Sequence, residues 1–340
     1  MTTRVAIMGF GRMGRNVFRA IYPRTDMQVV AINDLADPDA MEYLLRFDSL
    51  QGAFPEPVRV VDRVLYANGR QIPILNHRTP ADVPWFDHGV DVVVEATGRY
   101  RHRAELQGHL DSGADRVVLT TPPLDSVDYT HIAGVTDATP LREHRLVYCG
   151  SSTANCVALM LKTLDAAFGV ETASFTSVHA YTAEQSLIDT YHGDLRLSRA
   201  AMENIVPVST NTVNLVEEVL PQLEGKVGGY KLNVPVSDVS CADVVTTHDR
   251  AITASEVNEV FRSASASVSE GLLAFTDDPI VSSDIGGSTA SCTFDSLATL
   301  VVEGDMVKTI GWYEQGGGLA YRIVEAIAGL GRRTPQGGAA

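Results

Sequence analysis

Three glycines that directly follow a short apolar segment constrain this chain more than any other feature. The segment Arg4–Met8 has the continuous hydrophobicity of a buried strand, and it leads into Gly9-Phe10-Gly11-Arg12-Met13-Gly14. Helical character follows from Arg15 to Ile21. A strand that turns through glycines into a helix is typical of the first half of a parallel βαβ unit.

The same segment predicts a dinucleotide site, because a second apolar strand, Met27–Ile32, ends at Asp34, twenty residues beyond Gly14. Gly9 would permit the tight turn, and Gly11 would let the backbone approach a pyrophosphate at the helix N-terminus. Gly14 would let helix and sheet pack closely. Asp34 would accept hydrogen bonds from ribose hydroxyls and repel a 2′-phosphate, so the predicted cofactor is NAD. The alternative is an ordinary glycine turn beside a surface aspartate.

Hydrophobic patterning predicts two domains and an α/β fold class. Val90–Glu95 and Arg116–Thr121 are further continuously apolar strands, which indicate a Rossmann doubly wound parallel sheet in residues 1–150. Beyond residue 150, the segments Ser174–Val178, Tyr230–Val234 and Ser240–Thr246 alternate, as half-buried antiparallel strands do. We expect a second α+β catalytic and oligomerisation domain there, residues 151–317, with a mainly antiparallel sheet.

Two helices are expected late in the chain, at Ile252–Val268 and about Gly318–Leu330. The second of these could pack back on the first domain. The Gly/Pro-rich tail, residues 331–340, is predicted to be disordered.

Composition excludes several classes of protein. The 340 residues contain no apolar stretch of the ~20 residues that a membrane span needs, and the N-terminus lacks a signal-peptide pattern. A net charge of −15 argues against nucleic-acid binding. The four cysteines form no CxxC pair, so we expect reduced thiols, no metal site and a cytoplasmic location.

Dispersed segments over some 330 residues resemble the phosphorylating glyceraldehyde-3-phosphate dehydrogenases. The glycine segment is similar to that family's NGFGRIGR opening, and Tyr43–Ser49 is similar to its YLLKYDS segment. Glu95-Ala96-Thr97-Gly98 resembles the segment beside the adenosine, and Val178-His179-Ala180-Tyr181-Thr182 resembles the catalytic-histidine strand. Further similar segments are Ala31–Leu35, Arg199–Pro207, Asp278–Asp284 and Trp312-Tyr313.

The resemblance implies a homotetramer in which the loop from Thr182 to Pro207 borders a neighbour's cofactor site. It also implies a set of cofactor-binding residues. These are Gly9, Phe10, Gly11, Arg12, Met13, Gly14, Asp34, Thr97, Gly98, Thr120 and Gln315. In the family, a thiolate attacks the aldehyde, a histidine takes the proton, and phosphate cleaves the resulting thioester.

This chain departs from the family at the reacting positions. Ser152 stands in the place of the nucleophilic cysteine, within Gly150-Ser151-Ser152-Thr153-Ala154-Asn155-Cys156. Asn233 stands in the place of the arginine that binds the substrate phosphate, and the TTTGAAK segment reads Val208–Asn214. Gln315 replaces the asparagine that fixes the nicotinamide carboxamide. Ser152 is either natural or a laboratory replacement of cysteine, whereas the surrounding changes indicate a natural rebuilding of the pocket.

The predicted catalytic residues are Ser152 and His179, with His179 as general base. The predicted substrate-binding residues are Ser151, Thr153, Thr182, Thr210, Asn211 and Asn233. Without the arginine, phosphate recognition loses about 2 kcal/mol or more, which makes the usual triose phosphate a doubtful substrate. Cys149 is interpreted as a buried inert thiol, and Arg196, Arg199 and Glu184 are weak candidates for ligand contacts.

Three functions are compatible with these residues. The leading hypothesis is an NAD-dependent oxidoreductase that acts on a small aldehyde or alcohol. The second is an NAD-dependent isomerase or lyase with no net redox change, and the third is an NAD-binding pseudoenzyme. If Ser152 replaces a native cysteine, an acyl-enzyme aldehyde dehydrogenase is expected instead.

Overall fold

A computed structural model describes residues 2–267 and 271–330 of the chain. The described residues fall into two compact units. The first unit takes in residues 2–131, 137–150 and 320–330, and the second takes in 132–136 and 151–319. Val268, the predicted end of one helix, and the predicted tail at 331–340 lie outside the described residues.

The first unit is a doubly wound α/β structure, as predicted. Its strands are β1 (Thr3–Met8), β2 (Met27–Asn33), β3 (Phe47–Asp48), β4 (Gly52–Ala53), β5 (Val58–Val61), β6 (Val64–Ala67), β7 (Arg70–Leu75), β8 (Val92–Glu95), β9 (Arg116–Leu119), β10 (Tyr129–Thr130) and β11 (Leu146–Tyr148). The α-helices that lie wholly within it are α1 (Arg12–Ile21), α2 (Pro38–Arg46) and α3 (Arg103–Asp111). The nine-stranded sheet has the order β10-β11-β9-β8-β1-β2-β7-β6-β5.

The central strand β1 pairs in parallel with β2 and β8. Val5, Ala6 and Ile7 are completely buried, because both faces of a parallel sheet are covered. The carboxyl ends of β1 and β2 therefore meet at one edge of the sheet, where Gly9 and Asp34 follow them.

One edge of this sheet is antiparallel, which the strand pattern did not predict. Strands β5, β6 and β7 form consecutive antiparallel pairs. Asp62-Arg63 joins the first pair and Asn68-Gly69 joins the second, and all four residues have positive φ. Such two-residue turns match the twist of hairpin strands, which explains the local reversal of direction.

The second unit has one seven-stranded sheet. Its strands are β12 (Thr172–Ala180), β13 (Val206–Val208), β14 (Val227–Val234), β15 (Ser240–Thr247), β16 (Leu273–Thr276), β17 (Cys292–Val302) and β18 (Met306–Tyr313). Its helices are α4 (Ser152–Phe168), α5 (Thr212–Val219) and α6 (Ala254–Ser265), and α7 (Gly317–Leu330) begins in it and continues into the first unit. The strand order is β13-β14-β12-β15-β18-β17-β16.

The sheet is mainly antiparallel, as predicted, but β12 and β14 pair in parallel. The chain between them passes through β13 and α5, which is the crossover that a parallel pair requires. β15 pairs antiparallel with both β12 and β18. The sheet is therefore mixed, and its two parallel pairs lie at β12–β14 and β16–β17.

Helix α4 forms the core of the second unit. Its side chains Val157, Leu161 and Leu164 are fully buried in one apolar cluster with Phe175 and Val244 of the sheet. This packing fixes the helix on one face of the sheet, and so it fixes the position of Ser152 at the helix N-terminus.

Candidate functional site

The glycine turn between β1 and α1 has the geometry that a dinucleotide site needs. Gly9 has φ +93°, and a Cβ there would lie 2.7 Å from the backbone nitrogen of Thr97. A Cβ on Gly14 would lie 2.0 Å from the carbonyl oxygen of Gly9. Gly11, in contrast, has no atom within 4 Å of an added Cβ, so its open side faces empty space at the N-terminus of α1. Space of this kind beside backbone N–H groups fits a pyrophosphate.

Asp34 is fixed against this turn by two backbone donors. Its Oδ2 accepts from Phe10 N at 2.6 Å, and its Oδ1 accepts from Ala36 N at 2.8 Å. The carboxylate lines a cleft of about 220 Å³ together with Gly9, Gly11 and Thr97. The cleft therefore combines an open helix N-terminus with a carboxylate acceptor, and its residues fit NAD.

The Thr97–Gly98 turn of this cleft is held by a buried side-chain network. Glu95 Oε1 accepts from the backbone N–H of Thr97 at 2.8 Å and also from its hydroxyl. Glu95 Oε2 lies 3.0 Å from His109 Nε2, and Trp85 Nε1 donates to His109 Nδ1 at 2.9 Å. The indole can only donate, so the proton of His109 is on Nε2, which donates to Glu95.

The remaining predicted cofactor residues lie around the same strands or in the second unit. Arg12 is the first residue of α1 and Met13 the second, and Gly98 has φ +70°. The Thr120 hydroxyl donates to the carbonyl oxygen of Glu95 at 3.1 Å. Gln315 lies in the second unit, where its side chain contacts His179 and Ala180 of β12.

His179 lies near the end of β12 and is 8% exposed. Its Nδ1 is 2.7 Å from the carbonyl oxygen of Ala180, which can only accept, so this nitrogen carries the proton. Gln315 Nε2 donates to the same carbonyl oxygen at 2.8 Å and lies 3.3 Å from His179 Nδ1. With the proton on Nδ1, the neutral form of the imidazole carries its lone pair on Nε2, as a general base requires.

Ser152 is the first residue of α4, and Ser151 is the N-cap. Ser151 Oγ accepts from Ala154 N at 3.1 Å, and its carbonyl oxygen accepts from Asn155 N at 2.9 Å. The N–H groups of Ser152 and Thr153 precede these and have no partner within the helix. No hydrogen bond of the Ser152 side chain to another described residue is present.

Tyr313, on β18, forms hydrogen bonds to residues of both α4 and β12. Its hydroxyl lies 2.9 Å from Thr153 Oγ1 and 2.7 Å from Ser177 Oγ. Burial raises the pKa of the Tyr313 phenol far above its usual range, so the group stays protonated. The hydroxyl of Thr153, a predicted substrate contact, is thus engaged in a bridge from α4 to the sheet.

Asn233, which the resemblance places where the family has its phosphate-binding arginine, is bonded to a second amide side chain. Asn233 Nδ2 donates to Gln185 Oε1 at 2.6 Å, and the backbone N–H of Thr182 donates to the same oxygen at 3.2 Å. Asn233 is 1% exposed. Since two donors fix Gln185 Oε1 as the acceptor, the amide of Asn233 is oriented with Oδ1 away from it.

Thr210 and Asn211 lie at the start of α5. Thr210 Oγ1 accepts from Thr212 N at 3.2 Å and donates to Thr212 Oγ1 at 2.9 Å. Asn211 occupies the N-cap position of α5 without a side-chain capping bond. The substrate-binding roles of these residues stay predictions.

Sequence reasoning missed several residues that hold the site together. Gln185, Tyr313, Ser177 and the Trp85–His109 pair position predicted site residues through the bonds described above. Their long-range contacts join distant segments: Gln185 bonds to Asn233, Ser177 bonds to Tyr313, and Trp85 bonds to His109. No local spacing marks these contacts, although Gln185 and Ser177 lie close in sequence to Thr182 and His179. Among the weak candidates, Arg199 forms an exposed ion pair with Asp189 at 3.1 Å.

A glycine turn on a doubly wound sheet, with a second unit that carries a serine at a helix N-terminus and a histidine on a strand, is typical of a two-domain nicotinamide dehydrogenase. The family model described as glyceraldehyde 3-phosphate dehydrogenase, NAD binding domain, matches residues 3–103. The model described as the C-terminal domain of the same enzyme matches residues 151–315. The chain belongs to the glyceraldehyde-3-phosphate dehydrogenase family; it is an NAD-dependent oxidoreductase of this type.

Relatives of nearly full length support the assignment. The chain is 40% identical over 327 residues to glyceraldehyde-3-phosphate dehydrogenase 1 of Bacillus cereus, covering 96% of this chain and 98% of that protein. It is 42% identical over 336 residues to glyceraldehyde-3-phosphate dehydrogenase of Streptomyces coelicolor, covering 98% and 100%. The Geobacillus stearothermophilus enzyme of the same name is 40% identical over 329 residues, covering 96% and 98%. Within the described ranges, no helix is long and apolar enough to cross a membrane.

Proposed function

We propose that this protein oxidises a small aldehyde or alcohol with NAD, and that its substrate is not the usual triose phosphate. The observation that carries the proposal is the amide pair at the position of the family's phosphate-binding arginine. Asn233 Oδ1 is a buried oxygen with no partner in the described part of the chain. A phosphate dianion offers only acceptors to it, so the contact is repulsive where the family has a bidentate cation.

His179 is the general base of the proposed reaction. Its Nδ1 proton is held by the Ala180 carbonyl oxygen, so Nε2 accepts the proton of a substrate hydroxyl. The hydroxyl belongs to an alcohol or to the hydrate of an aldehyde. As the proton leaves, the carbon loses a hydride and its bond to oxygen becomes a carbonyl.

Ser152 and the N-terminus of α4 stabilise the substrate oxygen. A serine hydroxyl is much less acidic than a thiol, so Ser152 acts as a hydrogen-bond partner and no covalent intermediate is required. The N–H groups of Ser152 and Thr153 stand at the positive end of a 17-residue helix. Donors in this position stabilise negative charge that develops on oxygen.

NAD supplies the hydride acceptor when it is bound. Gly9, Gly11 and Gly14 would leave room for its pyrophosphate, and Asp34 would accept from its ribose. These residues all belong to the first unit.

The direct test is NADH formation with matched pairs of small aldehydes and alcohols, with and without a phosphate group. We expect turnover of unphosphorylated compounds and little gain from the phosphate. Absence of NADH with all of them, for both the native chain and Ser152→Cys, would exclude an oxidoreductase of this kind. A clear preference for glyceraldehyde 3-phosphate would exclude the altered substrate.

We propose further that the protein assembles as a homotetramer through the loop from Thr182 to Pro207. The loop carries large apolar side chains that are exposed in the single chain: Leu187, Ile188, Tyr191, Leu195 and Ile205. Several large apolar side chains exposed on one loop are typical of an interaction surface. Light scattering of the purified protein, compared with Tyr191→Asp, would detect the assembly and its loss.

A further inference from the structure

The face of the second sheet that carries His179 also carries a lysine that the family resemblance does not explain. Strands β12 and β14 are in parallel register, which places His179 beside Asn233 and Ser177 beside Lys231. Neighbours in register point to the same face of a sheet, as do residues two apart on one strand. Lys231 therefore lies two residues before Asn233 on β14, on the same face of the sheet as His179.

Lys231 is half-buried, and its ammonium group has no hydrogen-bond or ion-pair partner within residues 2–267 and 271–330. Burial lowers the pKa of its ammonium group, and the carboxylate of Glu184 partly opposes this. A charge in this environment is destabilised unless a counter-charge solvates it. Glu184 belongs to the loop that follows β12, and its neighbour Gln185 bonds to Asn233.

A second observation at the same place indicates a ligand. Gln185 Nε2 and Asn233 Oδ1 are both buried, and neither has a hydrogen-bond partner among the described residues. The pair thus leaves one donor and one acceptor unused, and Asn233 shares its face of the sheet with Lys231. Buried polar atoms without partners are rare in native proteins and are costly when no ligand or water satisfies them.

We propose that Lys231 and Gln185 form a carboxylate-binding subsite, and that the substrate is a small aldehyde or alcohol bearing a carboxylate. This inference rests on the proposed function and specifies its substrate class. Lys231 supplies the positive charge that the family places at position 233. This charge comes from two residues earlier on β14. Gln185 Nε2 donates the second hydrogen bond to the carboxylate.

The charge balance favours a carboxylate over a phosphate. Lys231 offers a single charge without the planar fork of arginine, and the carboxylate of Glu184 already lies within its field. A singly charged planar group matches one cation and one amide donor. A phosphate dianion brings a second charge and a third oxygen, and the buried acceptor Asn233 Oδ1 would repel them.

The subsite can be tested by binding alone, which separates it from turnover. Butyrate and the isosteric, neutral butyramide are titrated calorimetrically into the native chain, Lys231→Met and Lys231→Arg. Lys226→Met is the matched control, because Lys226 precedes the opposite end of β14 and donates to the carbonyl oxygen of Val170. Thermal unfolding of each variant establishes that it is folded.

We expect butyrate to bind the native chain at least about tenfold more tightly than butyramide, as for a hydrogen bond to a charged group. Lys231→Met should remove the difference, and Lys231→Arg and Lys226→Met should retain it. Equal affinity for butyrate in the native chain and Lys231→Met would overturn the proposal. Tighter binding of inorganic phosphate than of butyrate, lost in Lys231→Met, would overturn the carboxylate assignment.

A turnover experiment tests the same residue in the reaction. The native chain should oxidise succinate semialdehyde with a kcat/KM at least about tenfold above that for butyraldehyde. Lys231→Met should lose this preference because its KM for succinate semialdehyde rises. Failure of the proposed function would appear differently, as no NADH from either aldehyde despite butyrate binding. Turnover of both aldehydes with no dependence on Lys231 would overturn only the subsite.

Discussion

Gly14 stands so close to Gly9 that a Cβ on it would lie 2.0 Å from the Gly9 carbonyl oxygen. Gly11, between them, faces open space. Substitution by alanine therefore separates packing from ligand binding. We expect Gly14→Ala to lower the free energy of unfolding by about 2 kcal/mol or more, because backbone must move.

Gly11→Ala should leave stability within about 1 kcal/mol but weaken NAD binding, because its Cβ fills the space for the pyrophosphate. Thermal unfolding measures the stability of each variant, and NAD titration measures its affinity for the cofactor. Unchanged NAD affinity in Gly11→Ala would contradict the proposed pyrophosphate site.

Asp34→Asn should reduce the preference for NAD over NADP by about tenfold or more. The amide keeps an oxygen for the N–H of Phe10 but removes the charge that repels a 2′-phosphate. The measurement is the ratio of the Kd values of the two dinucleotides. Asp37→Asn is the control, since Asp37 caps the nearby α2 through Asp39 N and loses the same charge. An equal effect of both substitutions would indicate that the 2′-phosphate responds to the total negative charge nearby and not to a specific contact with Asp34.

His179→Gln should reduce kcat by about 10²- to 10⁴-fold while NAD affinity stays unchanged, because the general base is lost. Ser152→Ala should cost about tenfold only, because it removes one hydrogen bond in the proposed reaction. Steady-state rates and NAD titrations of both variants provide the comparison. If Ser152→Ala is as damaging as His179→Gln, serine attacks the substrate and a covalent ester forms.

The native protein should resist alkylation by iodoacetamide at neutral pH. Burial raises the pKa of Cys149 to about 12 and that of Cys241 to about 11, so their reactive thiolates are scarce until the pH approaches those values. Ser152→Cys should be inactivated rapidly, since its thiol would stand at the N-terminus of α4. The measurement is residual activity with mass analysis of the modified residues. Rapid inactivation of the native chain would show that one of its own thiols is needed.

Asn233→Arg should raise the kcat/KM for glyceraldehyde 3-phosphate relative to unphosphorylated glyceraldehyde by about tenfold or more. The guanidinium replaces the repelling Oδ1 by donors suited to phosphate. Asn233→Gln retains the amide and is the control for the change in size. An unchanged ratio in Asn233→Arg would show that substrate selection depends on other residues.

Much of the first unit could be predicted from local patterns. The strand before Gly9, the helix after it and Asp34 at the end of the second strand all follow from short-range rules. The antiparallel edge was missed, although Asn68-Gly69 is a strong hairpin signal. In the second unit, alternation predicted the strands β12, β14 and β15 out of seven. It could not distinguish the parallel partner β14 from the antiparallel partner β15 of β12. Pairing direction depends on the crossover and not on the strand itself.

The amino-acid sequence by itself determined the NAD scaffold, the serine at the nucleophile position and the asparagine at the arginine position, because each depends on residue type at one place in a motif. Only the tertiary structure decided that Gln315 bonds to the Ala180 carbonyl oxygen beside His179, and that Asn233 is oriented by Gln185. It alone placed Lys231 on the face of His179 through the register of β12 and β14. Register and side-chain hydrogen bonds between distant segments are fixed by packing across the whole unit, so no local spacing encodes them.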